Sequence, residues 1–356
     1  MKAKKNKNTD LYTEKGYLDI PYILHFGLPF NWIVGGRGTG KTYGALKYAY
    51  ESEKTFIYLR RTQTQIDLIV NQEFNPFESL NSDMGWDVGC YTINKYNKGF
   101  YLEEFNEEKE KFEKVGDPIG YGMALSTISN LRGFDASNVE LLIFDEFISE
   151  RHERPIKNEA DAFLNAYETM NRNRELKGKK PIQCLFCANA NNLANPLFLK
   201  LNLLTQASKM IRDNIEFAQL PHRESTMTIL QESKISEQKR ETALYKLARG
   251  TAFEAMSLEN KFVYDEHYHV GHKPLIEYKP IVQIKELTIY KHKSKREYYV
   301  SEYCNGTPLK TYGDTNVELQ QFAQNERYLR RAFYNGHMWF EHYVDQVLFE
   351  EYFKTV

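Results

Sequence analysis

Apolar and polar positions change rhythm several times along this chain. Phe30-Asn-Trp-Ile-Val34 is a short apolar run that ends in glycines, which predicts a strand feeding a turn. Helical character follows in Thr42–Tyr50. Three further strands are expected at Lys54–Arg60, Val139–Phe144 and Pro181–Ala188. Between the last two, residues 158–174 carry Ala162, Phe163, Ala166, Tyr167 and Met170 at the spacing of an amphipathic helix. Strands alternating with helices predict an α/β fold, a mostly parallel sheet sandwiched by helices.

The rest of the pattern divides the chain. Residues 1–10 read as a flexible basic tail, and 11–221 as the α/β domain with a lid. Within it, 72–125 fits the alternation less well: Asn94–Gly99 suggests a hairpin, and the charged run Glu103–Lys114 a solvated loop or helix face. Residues 222–257 are polar, Lys/Glu-rich and helically spaced, as in a linker. From 258 the texture changes again. Val282–Tyr290 alternates, Arg296–Tyr303 follows after a basic turn, and Val317–Phe353 is helical and aromatic, so 258–356 is expected to be a small separate α/β domain.

Composition adds little to the partner question. The 356 residues carry 47 basic and 48 acidic side chains, so any nucleic-acid contact must come from local patches or from a lumen built by several copies. No apolar run approaches the ~20 residues that span a bilayer, and the basic N-terminus lacks a signal core, which implies a soluble intracellular protein with no membrane partner. The Cys184-Leu-Phe-Cys187 pair sits in a predicted buried strand, where i and i+3 face opposite sides. These are read as core cysteines in a reducing cytosol.

The chemistry concentrates in two motifs. Gly35-Gly36-Arg37-Gly38-Thr39-Gly40-Lys41-Thr42 satisfies G-x-x-x-x-G-K-[ST] between a predicted strand and a predicted helix. Glycines let the backbone wrap phosphates, so successive N–H groups and the helix N-terminus face negative charge. Lys41 would reach the β/γ oxygens of ATP and the Thr42 hydroxyl would ligate Mg²⁺. Leu141-Leu-Ile-Phe-Asp-Glu146 is an apolar strand ending in two acids at the expected ligand crevice. Asp145 would hold Mg²⁺ through water, and Glu146 would polarise the attacking water. A glutamate directly after the aspartate belongs to the class with an extra strand between the two motifs, and the strands at 54–60 and 121–127 are available for that role.

Several further residues are candidates. Asn189, after the fourth strand, could contact the γ-phosphate or the lytic water, although asparagine there also forms turns. Arg60-Arg61 ends the second strand, Arg132 lies in the loop before the acidic strand, and Arg172 and Arg174 end the helix at 158–174. Such arginines commonly cap helices, but phosphoryl transfer in ring ATPases needs a positive charge from a neighbour, and Arg172 or Arg174 is placed for it. The Asp265-Glu266-His267-Tyr-His269 cluster reads as a solvated loop.

With those residues in hand, the chain resembles the DNA-packaging motor ATPases of small short-tailed phages, relatives of the terminase large subunit. The resemblance covers roughly residues 28–205. It rests on Ile33–Thr42, Phe56-Ile-Tyr-Leu-Arg-Arg61, Ile143-Phe-Asp-Glu-Phe147, Asn171-Arg-Asn-Arg-Glu175, and Asn189-Ala190 with Asn195-Pro196. It implies that Arg60 holds the catalytic glutamate inactive until DNA is gripped, and that Arg172 is the arginine finger. Arg132 stands where the family has a trans-acting lysine. The family also implies a homopentameric ring on the portal, in the cytoplasm of the infected host, moving double-stranded DNA into a prohead. Some members bind a packaging RNA, on which this sequence is silent. The C-terminal domain would be a vestigial ribonuclease-H-like nuclease fold. Two other readings stay open: an assembly ATPase that remodels protein partners, and an active terminase-type nuclease.

Overall fold

The computed structural model describes residues 11–131, 134–150, 153–230, 234–251, 254, 257–258 and 269–354. It divides into two compact units, 1–263 and 264–356. The first is built on a nine-stranded sheet. Its strands are β1 (Phe30–Val34), β2 (Phe56–Arg60), β3 (Val88–Thr92), β4 (Lys98–Asn106), β5 (Lys111–Ala124), β6 (Leu141–Asp145), β7 (Gln183–Ala188), β8 (Phe217–Leu220) and β9 (Ser225–Ile229). They lie in the order β3-β4-β5-β2-β6-β7-β1-β9-β8.

The central strands β5, β2, β6, β7, β1 and β9 run parallel, and hairpin partners close both edges antiparallel. Parallel strands covered on both faces must be apolar throughout, and Leu141, Leu142, Ile143 and Phe144 of β6 are all fully buried. Alternate residues serve opposite faces. Ile33, Ile143, Leu185 and Cys187 pack with Ala45, Leu46 and Ala49 of the helix Lys41–Glu51. On the other face Trp32 stacks on Phe186 at 3.7 Å between centroids, and Phe186 meets Phe163 of the helix Glu159–Asn171 at 5.0 Å. Truncating a ring such as Phe163 to alanine typically costs ~3–5 kcal/mol.

Three expectations need correction. The strand between the phosphate-loop strand and the acidic strand is β7, which pairs with β6 on one side and β1 on the other. The strands at 54–60 and 121–127 do not take that place: β2 lies on the far side of β6, and β5 beyond it. The charged run 103–114 is neither loop nor helix but a β-ribbon, in which Glu103 faces Lys114 and Phe105 faces Phe112. Glu113, set opposite Glu104, is paired instead with Lys109 at 2.8 Å. Lastly, the segment from 222 is not all linker. β9 lies beside β1, and all five of its residues are buried despite the Ser and Thr among them. The Thr226 hydroxyl donates to Asn31 Oδ1 at 2.8 Å, a buried bond that hydropathy does not register. Helices Lys234–Arg240 and Ala243–Leu247 then follow.

The second unit has a five-stranded sheet of β10 (Tyr278–Ile284), β11 (Leu287–His292), β12 (Tyr298–Ser301), β13 (Lys310–Tyr312) and β14 (Met338–Phe340), in the order β13-β10-β11-β12-β14, with helices Asn316–Asn325, Arg327–Tyr334 and Tyr343–Lys354. The alternating stretch 282–290 is two strands, β10 and β11, because Lys285 takes a left-handed turn with φ 47°. β12 continues the antiparallel meander. β13 and β14 add parallel strands at the two edges. No helix among the described residues is long and apolar enough to cross a membrane.

Candidate nucleotide site

β1 ends at Val34, and the chain turns through 35–40 into the helix Lys41–Glu51. Glycine is required at two points of the turn. Gly40 has φ 87°, and a Cβ on Gly35 would lie 2.6 Å from Leu230, which closes the back of the loop. The helix N-terminus therefore opens onto a cleft of about 330 Å³ lined by Lys41, Thr42, Asp145, Glu146 and Asn189. The strand order puts these residues together: β1, β7 and β6 are neighbours, so the tips of all three deliver side chains to one edge.

Lys41 is buried and donates to Gly36 O at 2.6 Å, Gly35 O at 3.0 Å and Asn189 Oδ1 at 3.4 Å. Burial lowers its ammonium to about 8, against the pull of Cys187 and Asp145. The Thr42 hydroxyl donates to Asp145 Oδ1 at 2.9 Å, and the Tyr58 hydroxyl donates to Asp145 Oδ2 at 2.8 Å. A hydroxyl and a carboxylate this close, beside a glycine-rich loop at a helix N-terminus, form a donor set suited to Mg²⁺ on a bound polyphosphate.

Glu146 follows the strand with φ 55°, a left-handed conformation that glutamate rarely adopts. Burial raises its carboxyl above the usual range, while Arg60 opposes the shift. Arg60 is ion-paired with Glu146, lies 3.4 Å from Asp145 Oδ2, and donates to the Tyr58 hydroxyl at 3.0 Å.

The other candidates fall elsewhere. Arg172 ends the helix Glu159–Asn171, exposed and away from the cleft, donating to Thr169 O at 3.1 Å and Phe134 O at 3.3 Å. It and Asn173 are consecutive left-handed residues, with φ 37° and 56°. Arg174 instead spends its guanidinium on the Val139 carbonyl, as a structural contact. Arg132 lies outside the described residues. So do residues 264–268, and His269 stacks on Trp339 at 4.8 Å. Cys184 and Cys187 are buried and free.

Three site residues were missed in the sequence. Tyr58 is two positions before Arg60 on one strand face, so alternation could have revealed it. Glu150, ion-paired with Arg37, and Lys239, on Arg37's carbonyl, come from segments with no motif of their own.

Known proteins resemble this chain in sequence and in fold. A DNA packaging protein of Bacillus phage PZA is 27% identical over 253 residues, covering 70% of this chain and 66% of that protein. A DNA packaging protein of Bacillus phage phi29 matches to the same extent. The matched region thus spans just under two thirds of those relatives. A chain of the bacteriophage Phi-29 viral genome packaging motor assembly superposes with a TM-score of 0.60 at 22% identity, over 95% of this chain and 99% of that one. Another, from the Phi-28 gp11 DNA packaging motor, gives 0.54 at 20% identity, over 94% and 97%. The model of the Podovirus DNA encapsidation protein (Gp16) family matches residues 17–344, and this chain belongs to that family.

Proposed function

We propose that this protein is the ATPase of a phage DNA-packaging motor, hydrolysing MgATP at residues 35–42 and moving double-stranded DNA into a prohead. The observation that carries the reading is the convergence of Lys41, Thr42, Asp145 and Glu146 on one sheet edge. Gly36, Arg37, Gly38, Thr39 and Gly40 would present backbone N–H groups to the phosphates, Gly35, whose N–H is held by the Ala188 carbonyl at 3.1 Å, would set the turn, and Lys41 would neutralise the β/γ oxygens. Thr42 and Asp145 would hold Mg²⁺, which supplies charge neutralisation at the phosphates. Glu146 would take a proton from the water that attacks the γ-phosphorus as ADP leaves. Arg60, paired with that carboxylate, would hold it back between turnovers. Asn189, hydrogen-bonded to Lys41, would respond to the γ-phosphate.

In this reading the motor is a homo-oligomeric ring, with five copies implied by the family, on the portal of the prohead in the host cytoplasm. Arg172 is then the finger offered to a neighbour's nucleotide. Its exposure, its absence from the lining of its own cleft and its left-handed backbone support a role in trans. Arg132 would add a second trans charge. The second unit would be the vestigial nuclease-like domain, and its basic segment 291–296, exposed except at His292, a phosphate contact blind to base order.

ATPase assays of the full chain with proheads and double-stranded DNA test the reading. Hydrolysis stimulated by both together is expected, whereas stimulation by neither points to an assembly ATPase. Mixing Arg172→Ala with Glu146→Gln subunits should restore part of the activity, since one interface then holds both intact groups. Mixed rings as inactive as either variant would remove the trans role.

A further inference from the structure

Against the phosphate loop lies a cation that no motif accounts for. Lys239, on the helix Lys234–Arg240, donates its ammonium to the Arg37 carbonyl at 2.6 Å. A Cβ placed on Gly38 would lie 2.1 Å from that nitrogen, so the lysine tip rests on the loop itself. The side chain is half-buried and has no carboxylate partner among the described residues. Arg37 and Lys41 bring two more positive charges to the same turn, and Arg37 has Glu150 as its counter-ion.

Three cations gathered on one loop repel one another, and removing them from water adds to the cost. Burial lowers the Lys239 ammonium and the Arg37 charge lowers it further. A backbone carbonyl offers only a partial negative charge in return. Such a cluster attracts an anion of high charge density, which a glycine-rich loop leading into a helix N-terminus is suited to receive.

We propose that Lys239 is a third cationic member of the phosphate site, whose placement, with that of its helix, depends on how much negative charge the loop holds. The proposal rests on the reading of residues 35–42 as a nucleotide site. The ammonium is supplied in cis by the stretch after β9 that leads in sequence to the second unit. A triphosphate, more negative than a diphosphate, engages it more strongly. Lys239 is thus a positioning residue that couples the hydrolysis state of the nucleotide to residues 234–247.

The test is equilibrium binding of a non-hydrolysable ATP analogue and of ADP, each with Mg²⁺, to the full chain. Lys239→Met should weaken the triphosphate about tenfold and ADP about threefold or less, the loss expected for one charge-assisted contact. Lys239→Arg should stay within about threefold of wild type for both. Lys246→Met removes an exposed lysine of the same stretch, paired with Glu241, and should change neither. Hydrogen exchange supplies a readout that a merely structural lysine would not move. Amides of 234–247 should slow on adding the triphosphate in wild type and Lys239→Arg, but not in Lys239→Met. Equal losses for both nucleotides, or an unchanged exchange response in Lys239→Met, overturn the proposal. Wild-type protein that binds neither nucleotide overturns the nucleotide site itself, a separate failure.

Discussion

Arg60 and Arg61 are consecutive at the tip of β2, yet they enter two clusters of buried charge of different design. Arg61 is fully buried, with Nε and Nη2 on Glu159 at 2.7 and 3.1 Å and Nη1 on Glu153 at 2.6 Å. Gln65 and the Glu150 N–H satisfy Glu153 further. Every charge there has a fitted partner within the chain, in the fork geometry that suits guanidinium to carboxylate. The cleft beside it is different. Lys41 rests on backbone carbonyls, and Arg60 is shared among Tyr58, Asp145 and Glu146. Its charges hold one another only partly, as they must if a ligand is to displace those contacts. A saturated cluster braces the fold, and an unsaturated one leaves contacts that a ligand can take over.

The comparison breaks most easily at Lys41. In the unsaturated cluster, Lys41→Ala should leave the fold intact and reduce ATP turnover to background, because the phosphates lose their main cation. A well-folded variant with normal turnover would show that the cleft is not the active site. Glu146→Gln should keep MgATP affinity while kcat falls by about a hundredfold, since an amide cannot accept the water's proton. If affinity collapses instead, Asp145 and Glu146 have exchanged roles.

The saturated cluster should respond in the opposite way. Arg61→Ala leaves Glu159, which is 4% exposed, buried without its partner. Breaking one side of such a pair typically costs ~3–5 kcal/mol, so denaturant melts should shift by that much while the remaining folded protein still binds ATP. A loss of nucleotide binding with unchanged stability would place Arg61 in the cleft's machinery.

That distinction was not legible in the sequence. The meeting of Gly35–Thr42 with Asp145-Glu146 at one sheet edge was, because spacing and an apolar strand fix where backbone and carboxylates must go. The parallel sheet was legible for the same reason, since strands buried on both faces carry continuous apolar runs. Strand order was not: β7 separates β1 from β6 by pairing across more than a hundred residues, and nothing local encodes that. β9 hid behind Ser225, Thr226 and Thr228, whose burial depends on the chain beside them. The same limit concealed Lys239, a lysine among many until the fold sets it on Arg37.

The smallest expected effect sharpens the comparison through pH. Burial holds the Lys41 ammonium at about 8 in the free protein, below its ordinary 10.5. A lysine with a lowered folded pKa opposes folding fully below pH 8, and that opposition fades as pH rises from 8 towards 10.5. Bound phosphates favour the charged form, so they raise the same pKa. Binding above pH 8 must therefore take up a proton, and affinity should fall as pH rises, by up to about tenfold per unit. Below pH 8 Lys41 contributes no slope, because it is charged with or without nucleotide. Titration calorimetry near pH 7 and pH 9, in buffers of different ionisation heat, measures both affinity and proton uptake. Lys41→Ala should bind weakly at both values and lose the uptake. The Arg61 cluster lends no such dependence, because its guanidinium stays charged throughout. Proton uptake that persists in Lys41→Ala would assign the titration to another group and remove the pH signature from the phosphate loop.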